Sequence, residues 1–342
     1  MAHEYFILNI IIGFAIYLIV ALSLNLEYGY AGIPNFGHAM AVLIGAIAIG
    51  SIMNRILMLL LGITGELIEA SGMVKSTVNS MFSQNPYLSL AFMLISLLIA
   101  FSMGVFAGAV SILPSAKLKH EYLAITLLAI SEVLYLVSNY NTSIIGGYYG
   151  VTIPDILAWI PGEQRLFVFA ILSLSLALIV FISVERLLAS PYGRLLRAMR
   201  ENEDVVRAYG RDIFKLRVKT VALGSGIAAL AGALYSFYSV NVIASVYFRV
   251  EWTFFPILML LLGGMGNNRG VAVGVFCFIL AKVFLAVYKF EIKSLLNLPF
   301  EATWLEYIFF GVLMLLILYY KPEGLIEEKA IITPPLKRVA EL

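Results

Sequence analysis

Charge and cysteine are both scarce in this chain. Asp, Glu, Lys and Arg make up 13% of its 342 residues, about half the share of a typical soluble domain. Hydrophobic residues reach 61% and the mean hydropathy is +0.95, which excludes an ordinary globular domain and identifies a polytopic membrane protein. The single cysteine, Cys277, rules out a disulfide framework and any CxxC metal or redox site. It falls in an apolar run and is expected to be packed and inert. No GxxxxGK(S/T) occurs, so the chain has no P-loop of its own. HEYLA at His120 lacks the second His of HExxH, no other cluster has ligand spacing, and no metal is expected. The GSG at Gly224 is no nucleophile elbow, since Leu223 stands where a glycine is required. Nothing here predicts an enzyme or a nucleic-acid partner. Only Glu132 and Lys282 fall deep within apolar runs, which disfavours a proton-coupled carrier. An ion-coupled carrier or channel built on backbone and hydroxyl oxygens stays open.

What the sequence has instead is a succession of apolar runs near the roughly 20 residues that cross a bilayer. They are Tyr5–Leu26, Tyr28–Met53, Tyr87–Ala116, Tyr122–Asn139 (with Glu132), Leu166–Val184, Thr220–Phe248, Trp252–Asn268, Gly270–Tyr288 (with Lys282) and Ala302–Tyr320 (with Glu306). The seventh is short and ends in GGMGNN, as a half-span or broken helix would. The first run has no basic segment before it and is read as a retained span. The expectation is an all-α membrane protein of about nine spans, one permease domain over residues 1–342, with external loops at 54–86 and 140–165. Threading these spans puts sixteen Lys and Arg on the side of Lys117, residues 186–219, Arg269 and the tail 321–342, against six on the other. That bias predicts the N-terminus outside and the C-terminus in the cytoplasm.

One cytoplasmic stretch is unlike the rest: SPYGRLLRAMRENEDVVRAYGRD, residues 190–212, with five Arg and four acids. Ser190-Pro191 reads as a cap followed by Pro at the first helical position, and Gly210 as a stop. Stepping by three or four collects Leu195, Met199, Asn202, Val206 and Tyr209 on one narrow face, bordered by both charge signs. Interfacial helices favour a basic polar face, so a helix laid in a protein groove is the stronger reading, with a solvated loop as the alternative.

With that segment in view, a resemblance emerges. Ser190–Asp212 resembles the cytoplasmic coupling segment of LivM-type permeases of branched-chain amino-acid ABC importers. LSLNLEYGYAGIPNFGHA (Leu22–Ala39), LKHEYLAITLLAISEVL (Leu118–Leu134), GGMGNNRGVAVG (Gly263–Gly274) and YKPEGL (Tyr320–Leu325) are similar to further motifs of that family, in the same order. The chain departs from the family pattern at Pro34-Asn35, at Asn267-Asn268-Arg269 and at Asp204-Val205-Val206. The resemblance implies a subunit that works with a second, H-type permease, two cytoplasmic ABC ATPases that bind ATP and Mg, and an extracytoplasmic binding protein, with no cofactor on this chain. It implies branched-chain or other small apolar amino acids as cargo and leaves urea, short amides or another small solute as alternatives. Residues 186–214 would be the coupling segment. Pro191, Gly193, Arg194, Arg197, Arg200, Glu201, Asn202, Glu203 and Gly210 would meet the ATPase, with Leu195, Met199 and Val206 packed into its groove.

The glycine-rich interruptions are the second expectation. Irregular backbone at membrane depth survives only where it lines a cavity or is covered by protein. Gly29, Tyr30, Gly32, Asn35, Gly37, His38, Glu132, Gly263, Gly264 and Gly266 are therefore the candidates for the translocation pathway. A tight turn or glycine-mediated helix packing is the alternative, and Glu132 is a possible partner of Lys282.

Overall fold

Eight helices are long and apolar enough to cross a bilayer: Tyr5–Tyr30, His38–Leu61, Pro86–Ile112, Glu121–Tyr140, Gln164–Ala189, Ile213–Ser239, Asn268–Leu295 and Ala302–Tyr320. A shorter apolar helix, Val250–Gly263, stands where the short seventh run was expected. These belong to a computed structural model that describes residues 2–162, 164–295, 299 and 301–328. Lys329, Lys337 and Arg338, which entered the charge count, lie with the rest of 329–342 outside the described residues.

In chain order, α1 (Ala2–Leu24) runs into a π-helical turn at Asn25–Tyr30. After a loop, α2 (His38–Ile47) continues through a second π-helical turn at Ala48–Met53 into α3 (Asn54–Leu61). Then come α4 (Leu67–Gln84), α5 (Pro86–Ile112), α6 (His120–Tyr140), α7 (Thr142–Ile145), β1 (Val151–Thr152), α8 (Gln164–Ala189), α9 (Pro191–Glu201), α10 (Glu203–Ala208) and α11 (Ile213–Ser239). The chain ends with β2 (Asn241–Val242), a π-helical turn at Val250–Phe254 leading into α12 (Phe255–Gly263), then α13 (Asn268–Leu295) and α14 (Ala302–Tyr320).

Local chemistry sets several of these ends. Ser190 accepts from the Tyr192 N–H at 3.2 Å with Pro191 at the first helical position, which starts α9 as the sequence predicts. Asp212 caps α11 by accepting from the Lys215 N–H at 3.2 Å. The apolar run expected here opens only at Thr220 and extends to Phe248, whereas the helix spans Ile213–Ser239. Helix begins at Ile213 regardless, because Arg217 is pulled in and satisfied by the carbonyls of Ala116 (2.8 Å) and Leu118 (2.9 Å) and by Glu203. The expected external loop 54–86 is likewise mostly helix. In α4 the buried Leu67, Ala70, Ser71, Val74, Val78 and Phe82 recur at helical spacing, on a segment too polar to register as a span.

The bundle is built around α11, 78% of whose apolar window is buried, against 17% for α14. Small residues let its neighbours come close. A Cβ on Gly45 of α2 would strike the Ala229 carbonyl, and one on Gly232 of α11 would strike the Val42 carbonyl. On the other side, Gly104 and Gly108 of α5 press against Ser225 in the same way. At one end of the bundle β1 and β2 pair antiparallel, Val151 with Val242 and Thr152 with Asn241. Asn54 donates to the Thr152 carbonyl there at 2.9 Å. Cys277 is half-buried and free.

Candidate functional site

The charged segment is two helices rather than one. Asn202, extended at φ −160°, ends α9 and caps α10 by accepting from the N–H groups of Asp204 (3.0 Å) and Val205 (3.2 Å). The break turns the expected apolar face. Leu196, Met199 and Val206 point into the chain's own core at 0, 1 and 3% exposure, while Tyr209 is 83% exposed. Leu195 is only half-buried, and Gly193 is buried because a Cβ there would meet the Leu188 carbonyl. Met199 and Val206 therefore pack intramolecularly and offer nothing to a partner's groove. Pro191, Arg194, Glu201, Asn202, Val205, Tyr209 and Gly210 are among the exposed positions, with Asp204, Arg207 and Arg211.

The inward side of α9 is a joint. Arg200 donates one guanidinium nitrogen to the Gly29 carbonyl at 2.5 Å and another to Glu328 at 2.7 Å. Arg197 lies 3.7 Å from the same carboxylate, with its guanidinium 5.1 Å from the Tyr30 ring centroid. Residues 325–328 reach this point by running along the GGMGNN break: Leu325 N–H donates to Leu262 (2.9 Å), Ile326 N–H to Gly263 (3.0 Å), and Asn267 to the Glu327 carbonyl (3.2 Å). Asn25 closes the joint by accepting from Gly266 N–H (3.0 Å) and donating to Asn268 (2.8 Å), which donates to Glu185 on α8 (3.1 Å).

Two glycines here have no substitute. Gly32 has φ +69°, and its Cβ would lie 3.1–3.4 Å from Arg200. Gly266 has φ +77°, and its Cβ would lie 2.6 Å from the Glu328 carboxylate and 2.9 Å from the Arg200 guanidinium. Thus Gly29, Tyr30, Gly32, Gly263, Gly264 and Gly266, chosen as pathway candidates, meet as one junction beneath α9. The two glycine-rich stretches that stand far apart in sequence touch each other there.

Asn35, Gly37 and His38 sit just inside, around a carboxylate that the sequence reading missed. Glu27 is fully buried and accepts from Asn35 Nδ2 at 2.6 Å, and His38 Nδ1 lies 3.8 Å away. The other ring nitrogen of His38 bonds Ser23 Oγ at 2.8 Å. Gly37 N–H donates to Asn35 Oδ1 at 3.0 Å, and Ala39 N–H to Thr253 Oγ1 at 2.9 Å. A Cβ on Gly224 would strike Glu27, and one on Gly37 the Leu127 carbonyl. These residues form a closed polar plug between the first two spans rather than an open wall. Glu27 escaped notice because it seemed only to bound the first apolar run.

A second charged group lies deeper. Lys282 meets Glu251, donates to the Tyr17 hydroxyl at 3.1 Å, and lies 3.9 Å from Glu306; Tyr17 also bonds Glu251. Glu132 pairs with Arg249 at 3.4 Å instead of with Lys282. The reason is the irregular chain before α12, which turns Glu251 inward to Lys282 and leaves Arg249 at the exposed side, facing Glu132. Two residues apart in sequence, they gave no sign of having separate partners. Among the described residues no three of His, Cys, Asp and Glu gather as metal ligands.

A predominantly helical bundle with interrupted spans, tied to a charged two-helix segment, defines a multi-pass membrane protein. A family model described as "Branched-chain amino acid transport system / permease component" matches residues 6–318, and the chain belongs to that family. Among curated proteins it is 57% identical over 329 residues to "Probable branched-chain amino acid transport permease protein LivM" of Methanocaldococcus jannaschii, covering 96% of this chain and 95% of that one. It is 25% identical over 338 residues to "High-affinity branched-chain amino acid transport system permease protein LivM" of Escherichia coli, covering 91% and 68%. A Salmonella typhimurium protein of the same description is 26% identical over 240 residues, covering 62% and 52%. No solved structure matches. The chain is a transport subunit, not an enzyme.

Proposed function

We propose that this chain is one of two permeases in an ATP-driven importer of branched-chain amino acids, oriented with its N-terminus outside and its C-terminus in the cytoplasm. The second permease is the related H-type subunit. An extracytoplasmic binding protein delivers substrate, and two cytoplasmic ABC ATPases, which hold ATP and Mg, drive the cycle. The nine-span threading of the sequence assigns sixteen of the 23 Lys and Arg to the side of the coupling segment, the positive-inside signature.

The observation that carries this reading is the two-sided build of α9 and α10. Their inner side is bonded to the first-span break through Arg200, while their outer side leaves Arg194, Val205 and Tyr209 exposed. An ATPase gripping the outer side moves the backbone at Gly29 through the inner side. The test is purification in mild detergent followed by reconstitution. The expected result is a second permease and P-loop ATPases in near-equal amounts, with leucine uptake that requires ATP. A chain recovered alone, yet active in uptake driven by an ion gradient, would overturn it.

A further inference from the structure

The coupling junction makes no use of the charges deeper in the bundle. Around Lys282, two carboxylates, Glu251 and Glu306, share one ammonium at close range, with Lys289 acting on Glu306 from further off. None of Lys282, Glu251 and Glu306 is fully covered, at 24, 19 and 22% side-chain exposure. Charges at this depth are expensive against lipid and mark water-filled or substrate-bearing space.

Beside them, between the start of the short seventh span and α14, lies a cavity of about 450 Å³ whose wall includes Val250, Phe254, Phe255, Trp304, Tyr307 and Gly311. That volume is in the range of small-molecule sites, which pair an apolar wall with a few polar groups. Phe255 belongs to both features. Its ring is cavity wall, and Lys282 Nζ stands 5.2 Å from its centroid. Tyr307, the neighbour of Glu306, stacks on Phe255 at 6.3 Å.

We propose that the cavity and the Glu251–Lys282–Glu306 cluster form one binding site for a zwitterionic α-amino acid with an apolar side chain. The side chain fills the aromatic cavity. The substrate ammonium answers the Glu306 carboxylate, which has no ammonium closer than Lys282 at 3.9 Å among the described ion pairs, and the substrate carboxylate takes the Lys282 N–H not directed at Glu251 or Tyr17. This deepens the importer reading and rests on it.

The experiment uses the assembled transporter in vesicles with saturating binding protein, and compares leucine with valine uptake. A Cβ on Gly311 would meet nothing within 4 Å, so Gly311→Val fills the cavity without a clash in this chain. The leucine-to-valine ratio should fall about tenfold or more, the discrimination one methylene gives in a tight pocket. Met314→Ala, which widens the same wall, should shift the ratio the other way. Glu306→Gln should raise half-saturation for leucine about tenfold while uptake stays ATP-dependent.

Wild-type uptake that needs no ATP would refute the importer reading before any variant is compared. With that control intact, an unchanged ratio in Gly311→Val and Met314→Ala sinks the cavity assignment alone. Loss of the second permease from Gly311→Val preparations would also overturn it, by making the groove a packing surface between permeases.

Discussion

Arg200→Gln is the sharpest probe of the coupling junction. The guanidinium makes one charge-assisted bond to the Gly29 carbonyl at 2.5 Å and one to Glu328 at 2.7 Å. A hydrogen bond involving one charged partner contributes about 1.5–3 kcal/mol. The pair with Glu328 has 26% of each side chain exposed, so screening brings it nearer the ~1 kcal/mol of surface pairs. Losing both contacts should weaken the joint by about 2.5–4 kcal/mol, a shift of roughly 60- to 700-fold between engaged and disengaged states at about 1.4 kcal/mol per tenfold. Glu328→Gln keeps the bond to Gly29 and should lose about 1 kcal/mol. Arg200→Lys keeps the charge but not the fork that reaches two acceptors, and should fall between. The assay is amino-acid uptake per ATP hydrolysed by the reconstituted complex, with ATPase recovery measured alongside. Uptake per ATP should decline in the order Glu328→Gln, Arg200→Lys, Arg200→Gln, with ATPase still bound. A wild-type ratio in Arg200→Gln would refute the joint. Loss of the ATPase itself would show that Arg200 contacts the partner directly.

Other positions give independent outcomes. Tyr209→Asp and Val205→Asp should reduce ATPase copurification without altering the amount of folded permease, because both side chains are exposed; Met199→Ala should do the reverse, destabilising the chain by about 2–5 kcal/mol as a buried truncation. Gly232→Leu should abolish the folded bundle, seen as loss of a monodisperse peak, since α11 meets the Val42 carbonyl there. Lys282→Met alone should be more destabilising than Lys282→Met with Glu251→Gln, because the single change strands a carboxylate. Asp212, outside the spans, has its carboxyl held below the usual range, chiefly by the Lys215 N–H. Its cap is therefore fully present above the unfolded value of about 3.9 and is lost as pH falls through the lower folded value. Asp212→Asn should flatten the acid limb of a stability profile.

Apolar runs of the required length gave the order of the spans and about nine of them, eight being full-length helices among the described residues and Val250–Gly263 a short one, because the bilayer imposes that length on any helix whatever its neighbours. Ser190-Pro191 placed the start of α9, a local matter of capping and a fixed φ. The charge bias and the segment at 190–212 are also legible in the sequence, and the proposed orientation and docking face rest on them. Three things depended on contacts between residues remote in sequence. The first is the face of the coupling segment, which Asn202 breaks and the core claims through Leu196, Met199 and Val206. The second is the junction itself, where Asn25, Arg200, Gly266 and Glu328 meet only because α1, α9, the break before α13 and the C-terminal stretch converge. The third is the pairing of charges within the bundle. Periodicity reports which face of a helix is apolar, but not what that face touches. Only the packing of spans around α11 settled that Glu132 meets Arg249 while Lys282 is shared between Glu251 and Glu306.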